Sequence, residues 1–420
     1  MTSMTETETL RWRGERHPQH SSTLAVLMIL ETVPDRKRWL TLHERMLGRL
    51  PRAHATVHEP AVPGGLPEWV PDTDVDLGYH LRRVRLPAPG GMPQLVEFAQ
   101  QAAMTPFDRA RPLWEATLVE GLPDGRAAYL LKVHRSLADE SDGLRRLLSR
   151  IPQDNGTSRP AMGRLLDAGT HVLTHPRAAV AGALRFAASL RHAAAPLAVP
   201  GSPLFRGRSG TAWRYGVLEC RLADLEAVAR QAGATAHEAY LAALLGGMRR
   251  YHERHGVTLG TMPMSIPILV RGRRDASRSA GALFAAPTGL RDPLERIATL
   301  HGIVLSLQME PALGALPVLV PVLNRLPSAV GATAGRFLAH ADLSAAYLPG
   351  STDRILLAGA TVERIYPFEP LPGVALMAAM ISYAGLCCVG MNIDGTAVPD
   401  PQTLVDCVHE GFEEVLAAAR

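Results

Sequence analysis

The chain has 420 residues, more than one hydrophobic core usually serves, so two domains are expected, and its 47% hydrophobic content supports both. The net charge is +4, and the basic residues are almost all arginine, Lys37 and Lys132 being the exceptions. With no basic run interleaved with aromatics, this modest surplus excludes a nucleic-acid footprint and suits a phosphate-bearing small molecule or an anionic surface. Cys220, Cys387, Cys388 and Cys407 form no Cys-x-x-Cys pair, so neither a zinc site nor a disulfide scaffold is expected, and a reducing cytosol is the simplest compartment.

In chain order, the polar, acidic start from Met1 to Thr9 carries no targeting signal. The apolar run Thr23 to Leu30 is too short to span a bilayer and reads as a buried strand. Further strands are expected at His80 to Leu86, Ala116 to Glu120 and Ala127 to Val133, with helices at Arg36 to Leu50, Pro93 to Ala103 and Asp142 to Arg150. Pro152 to Pro160 reads as a linker, and the Ala- and Leu-rich stretch from Met162 to Ala194 as a helical crossover between domains. Its histidines, His171, His175 and His192, lack metal-ligand spacing and read as helix surface. The second half resumes as a strand at Gly216 to Leu222, with helices at Leu222 to Ala232 and Thr235 to His255 and a strand at Met264 to Val270. Helices at Pro293 to Gln308 and Pro317 to Ala339 follow, then strands near Leu356, at Ala375 to Ser382 and at Leu386 to Asp394, and a last helix from Pro401. Alternation of this kind implies α/β layers.

The stretch His134-Arg135-Ser136-Leu137-Ala138-Asp139-Glu140, at the end of a strand, carries the chemistry. It resembles the His-His-x-x-x-Asp-Gly signature of the condensing acyltransferases. That superfamily includes chloramphenicol acetyltransferase-like enzymes, peptide-synthetase condensation domains and bacterial wax ester synthase/diacylglycerol acyltransferases. The flanks point to the last group. Upstream, Pro67-Glu68-Trp69, Asp76 to Arg83 and Pro106 to Glu115 resemble the run into the motif, ending in a Pro-Leu-Trp-Glu box at Trp114 and Glu115. Downstream, Leu357 to Pro367, Ser382-Tyr383-Ala384-Gly385, Asp394 and Val398-Pro399-Asp400 resemble the closing segment.

The resemblance implies two chloramphenicol acetyltransferase-like α/β domains with a tunnel between them. The expected boundaries are 1–152 for the domain carrying the motif, 153–205 for the linker and crossover helices, and 206–420 for the second domain. The implied activity is acyl transfer from acyl-CoA, as co-substrate, to diacylglycerol, a fatty alcohol or a related hydroxyl acceptor. No metal and no tightly bound cofactor are implied. The expected location is cytoplasmic, with peripheral contact at a membrane or lipid droplet.

Such a reaction needs a base near the working pH, and in the family the second histidine of the motif supplies it. Here that position is Arg135, which can donate hydrogen bonds or hold an anion but cannot accept a proton. Asp139 keeps the loop-holding role of the motif aspartate, and Arg271 is one candidate partner for it. Glu140 stands at the motif glycine. The family's Asn-Asp pair appears as His237-Glu238, and its Asn-Val-Pro-Gly-Pro turn as Tyr347-Leu348-Pro349-Gly350-Ser351. Thr235 and Glu238 have the spacing of a helix capping box, which accounts for Glu238 structurally. His237 is the reserve base if it reaches the same cleft as Arg135. Arg135 itself is expected to pair with Glu140 or Glu238, or to bind an anionic substrate group. His134, Arg135, Asp139 and His237 are thus the candidate catalytic residues, and Glu140, Glu238, Trp114 and Arg271 the candidate substrate-binding ones. Two further readings follow from the altered motif: an inactive member that holds an acyl or CoA ligand, and a member repurposed for a secondary metabolite.

Overall fold

The computed structural model describes residues 2–15, 21–61, 65–137, 199–271, 277–308, 341–371 and 373–419. The expected helices at 142–150 and 317–339, the linker at 152–160 and the crossover at 162–194 lie outside these residues. The first half runs Thr2–Ser3 (β1), Glu6–Gly14 (α1), Thr23–Leu30 (β2), Arg36–Arg49 (α2), Ala55–His58 (β3), Glu68–Pro71 (β4), Leu77–His80 (α3), Leu81–Arg85 (β5), Met92–Met104 (α4), Trp114–Glu120 (β6) and Ala127–His134 (β7). The second half runs Trp213–Arg221 (β8), Leu222–Gln231 (α5), Ala236–Arg254 (α6), Met262–Arg271 (β9), Ser277–Ala286 (β10), Pro293–Gln308 (α7), Leu343–Pro349 (β11), Leu356–Leu357 (β12), Ala360–Phe368 (β13), Leu376–Tyr383 (β14), Leu386–Asp394 (β15) and Pro401–Ala417 (α8).

Every residue of β2 and β7 is buried, which is why both read as unbroken apolar runs: they are central strands covered on both faces. The sheet around them has the order β12-β13-β2-β7-β6-β5, and a three-stranded sheet β1-β4-β3 flanks it. Two of its six strands, β12 and β13, come from within 206–420, the span read from sequence as the second domain. The second sheet has the order β10-β9-β11-β14-β15-β8.

Helix starts follow local chemistry. The Asp35 carboxylate accepts the N–H groups of Lys37 and Arg38 at 3.0 and 3.1 Å, opening α2. Thr235 and Glu238 form the expected capping box at the head of α6. The core of the second unit lies between its sheet and α6, α7 and α8. There Arg296, fully buried, donates to Glu414 and to the Ala242 carbonyl at 2.9 Å each.

The two units meet along β13, which lies against β14 and β15. A Cβ on Gly390 would stand 1.9 Å from the Pro367 carbonyl oxygen, so the approach of β13 requires glycine there. Tyr215 stacks on Phe368 with centroids 4.0 Å apart, and Arg364 and Tyr366 donate to Glu219 at 2.7 and 2.9 Å. Gln100 on α4 accepts the Tyr215 N–H at 3.0 Å.

Candidate functional site

The motif begins where β7 ends and a 3-10 turn, Arg135–Leu137, takes over. His134 is fully buried between Trp12 and Phe107, both edge-on to its ring. The Ser136 N–H points at Nδ1 from 3.2 Å, and since a backbone N–H only donates, Nδ1 carries the lone pair. The Ser136 hydroxyl adds a contact of 2.6 Å to the same atom. The ring proton is then on Nε2 and donates to Glu15 Oε2 at 3.1 Å. Both nitrogens are committed inside the protein, so His134 positions the turn and has no lone pair left for a substrate proton.

Glu15 was not foreseen from sequence. Its carboxylate also accepts the Ser22 N–H at 2.9 Å and pairs with Arg109 at 3.4 Å. Burial pushes the Glu15 carboxyl up, but the hydrogen bonds from His134 and the Ser22 N–H and the charge of Arg109 together bring it below its ordinary value. The helix α1 therefore clamps the motif: Glu15 holds His134, while Arg52, paired with Glu8 of α1, donates to the Ser136 carbonyl at 3.2 Å.

The two neighbours differ in burial, His134 closing the strand inside and Arg135 opening the turn. Arg135 keeps 41% of its side chain exposed, and its Nη1 lies 3.8 Å from Glu369 Oε2, just past the end of β13. Among the described residues its partner is Glu369 rather than Glu238. Glu238 is taken by its capping box and by His301 at 3.8 Å, which leaves no substrate role for its buried carboxylate. Asp139 and Glu140 lie outside the described residues, and Arg271 closes β9.

Trp114, expected at the substrate, is instead 1% exposed: its indole N–H donates to the Ala53 carbonyl at 2.7 Å and its ring stacks on His80. A sealed aromatic with its one donor satisfied is core. Its neighbour Glu115 pairs with the buried Lys132 at 3.4 Å, and Lys132 Nζ sits 4.2 Å from the centroid of Phe107. Burial pulls the Lys132 ammonium below its ordinary value against the charge of Glu115.

His237 is half-buried and stacks on Tyr347 with centroids 6.0 Å apart. Burial pulls its pKa below the ordinary value, against the opposing charge of Glu238. Tyr347 donates to Ser382 Oγ at 3.2 Å. This group does not join Arg135. Glu369 accepts Asn392 Nδ2 on its carbonyl at 3.0 Å, and Asn392 lies opposite Met377. Ser382 is five residues farther along β14, about 17 Å at 3.3 Å per residue. It also points to the other face: Leu376, Ala378 and Met380 share its parity and face the core under α6, while Met377 and Ala379 face the first unit. The cleft shared by His237 and Arg135 that the sequence suggested is thus not formed. No group of three or more histidines, cysteines or carboxylates among the described residues could hold a metal ion.

Comparison with known proteins accords with this architecture. The wax ester synthase/diacylglycerol acyltransferase catalytic domain matches residues 7–240, and the C-terminal domain of the same family matches residues 279–415. A candidate diacylglycerol O-acyltransferase of Mycobacterium tuberculosis strain H37Rv is 35% identical, with 98% of this chain and 91% of that protein covered. Another from Mycobacterium bovis is 29% identical over 85% of this chain and 86% of its own length. Among solved structures, the wax ester synthase/diacylglycerol acyltransferase of Marinobacter aquaeolei VT8 superposes with a TM-score of 0.72 at 20% identity, both chains covered in full. The starter condensation domain of rhizomide synthetase, solved with C8-CoA and Leu-SNAC, gives 0.60 at 13% identity over 100% of this chain and 94% of that one. The expected fold of two condensation-type α/β units is borne out at this level. With both domains matched in order and a relative aligned over nearly its whole length, the chain belongs to the wax ester synthase/diacylglycerol acyltransferase family.

Proposed function

We propose that the chain transfers an acyl group from acyl-CoA to the hydroxyl of a diacylglycerol, a fatty alcohol or a related acceptor, in one ternary complex and without a covalent intermediate. The observation that carries this reading is the family match across both domains, with the motif at the end of a central strand. In this proposal the acyl chain lies in a tunnel between the two units and the thioester sits beside Arg135. His134 holds the motif turn, and Asp139 orders the loop that follows. Contact with a membrane or lipid-droplet surface would be peripheral, since no helix among the described residues is long and apolar enough to cross a bilayer.

Arg135 at the base position favours a second reading, a protein that binds acyl-CoA without turning it over. CoA release separates the two. The purified protein is given long-chain acyl-CoA with a fatty alcohol or diacylglycerol, beside the variant Arg135→His. Turnover by the wild type supports acyl transfer. A silent wild type with activity in Arg135→His supports binding alone.

A further inference from the structure

Three buried polar atoms have no hydrogen-bond partner among the described residues and belong to neighbours in space: Glu369 Oε2, Asn392 Oδ1 and Tyr215 Oη. Asn392 lies directly opposite Tyr215 across the β15–β8 pair, so their side chains leave the sheet on one face. That face is turned to the first unit, because Tyr215 packs in one cluster with Leu27 and Leu130 of β2 and β7. Asn392 binds the Glu369 carbonyl, Tyr215 stacks on Phe368, and Arg135 enters from the motif. The Arg135–Glu369 separation of 3.8 Å is an ion pair but exceeds hydrogen-bond length. A buried polar atom left without a hydrogen bond is unfavourable, because it has given up water for nothing. Three such atoms gathered at Phe368 and Glu369, with Arg135 against one of them, mark a place completed by a ligand that brings its own donor, as a hydroxyl acceptor does.

We propose that Glu369 replaces the histidine missing from the motif as the proton acceptor for the attacking hydroxyl, with Arg135 beside it as the donor to the thioester carbonyl oxygen. The inference rests on the acyltransferase reading. A carboxylate accepts a proton where a guanidinium cannot, and the guanidinium of Arg135, engaged with Glu369 through Nη1 and 41% exposed, has further N–H groups to offer. The acceptor oxygen bonds to the thioester carbonyl carbon as its proton passes to Glu369 Oε2. Arg135 takes up the negative charge that develops on the carbonyl oxygen. The C–S bond then breaks, and the CoA thiolate leaves as the thiol with the proton held by Glu369. The role is split between two segments of the chain that only the fold brings together, and neither is the His237 group at the far end of β14.

Glu369→Gln keeps the shape and removes the proton acceptor. With full-length protein, CoA release from long-chain acyl-CoA and a fatty alcohol is expected to lose about 100-fold or more in kcat. Binding of acyl-CoA, read by tryptophan quenching, should stay within about twofold, and Glu369→Asp should recover part of the rate. Where Glu369→Gln fails to fold, Arg135→Lys carries the test: it keeps the charge, loses the fork, and is expected to lower kcat about tenfold. An active wild type with an unimpaired Glu369→Gln, or with an unimpaired Arg135→Lys, overturns this proposal and leaves acyl transfer standing. A silent wild type overturns both together.

Discussion

His43 is sealed on the inner face of α2: Nδ1 donates to the Trp39 carbonyl at 2.8 Å, and Nε2 accepts the Tyr129 hydroxyl at 3.2 Å. Burial lowers it to about 4 from an ordinary value of 6.5, opposed by the Trp39 carbonyl. Because the folded value lies below the unfolded one, the unfolded chain takes up the proton first. The stability tied to neutral His43 is therefore fully present above about pH 6.5 and drains away as pH falls toward 4, about 3 kcal/mol in all. His80 and His252, also lowered by burial, add to the same trend. Unfolding free energies from urea titrations at pH 7 to 4.5 should fall less steeply in His43→Gln, by up to about 1.4 kcal/mol per pH unit. Parallel slopes would show that His43 does not titrate with unfolding. Other single residues were opaque to sequence for a different reason. Glu15 and Glu369 flank the motif in space, yet lie 119 residues before His134 and far beyond it along the chain. Nothing local to either position marks it, whereas the capping function of Glu238 could be read from Thr235 three residues away.

Two helical glycines carry opposite expectations. Gly411 on α8 faces Gly247 on α6, and a Cβ there would lie 2.3 Å from the Ala243 carbonyl oxygen and 2.5 Å from the Gly247 nitrogen. Gly48 on α2 is exposed, with nothing within 4 Å of such a Cβ. Helix propensity alone favours alanine at both by up to about 1 kcal/mol. At Gly411 backbone overlap outweighs it, so Gly411→Ala should lose about 2 kcal/mol by urea unfolding while Gly48→Ala gains about 0.5 kcal/mol. Elements with strong periodicity or caps were legible from sequence, β2, β7, α7 and β15 nearly to the residue. The ones that escaped have physical reasons. Helix α1 has no apolar stripe and rests on a Thr5–Glu8 capping box and on Trp12. Strand β10, Ser-Arg-Ser-Ala-Gly-Ala-Leu-Phe-Ala-Ala, has no β-branched residue. Strand β13 contains Pro367, which argues against a sheet interior, but β12 pairs only with its first two residues and leaves the proline on an open edge.

At the scale of the molecule, the return of β13 into the first sheet binds the halves into one structure. Four of the five tryptophans, Trp12, Trp39, Trp69 and Trp114, report on the first unit, with Trp213 on β8 at the junction, whereas α6, α7 and α8 of the second contribute much of the helical signal. Tryptophan fluorescence and far-UV circular dichroism should therefore lose their native values together in urea, although chains of two units often unfold in stages. Separate midpoints would mean that the β13 junction is weaker than its packing suggests. Sequence conveyed that there are two α/β units but not that they share strands, because no local pattern says which sheet a strand joins.

The same return has a consequence for synthesis on the ribosome. When β7 has emerged, the sheet it belongs to still lacks the strand that covers β2, and roughly 230 more residues must be made before β13 arrives. At about 5–20 residues per second, that interval is on the order of 10–50 seconds. Throughout it the nascent chain carries a strand apolar from Leu24 to Leu30 with one open edge, the kind of surface that recruits other chains. Production of this protein in a host should respond to translation speed and to the supply of chaperones that shield unfinished chains.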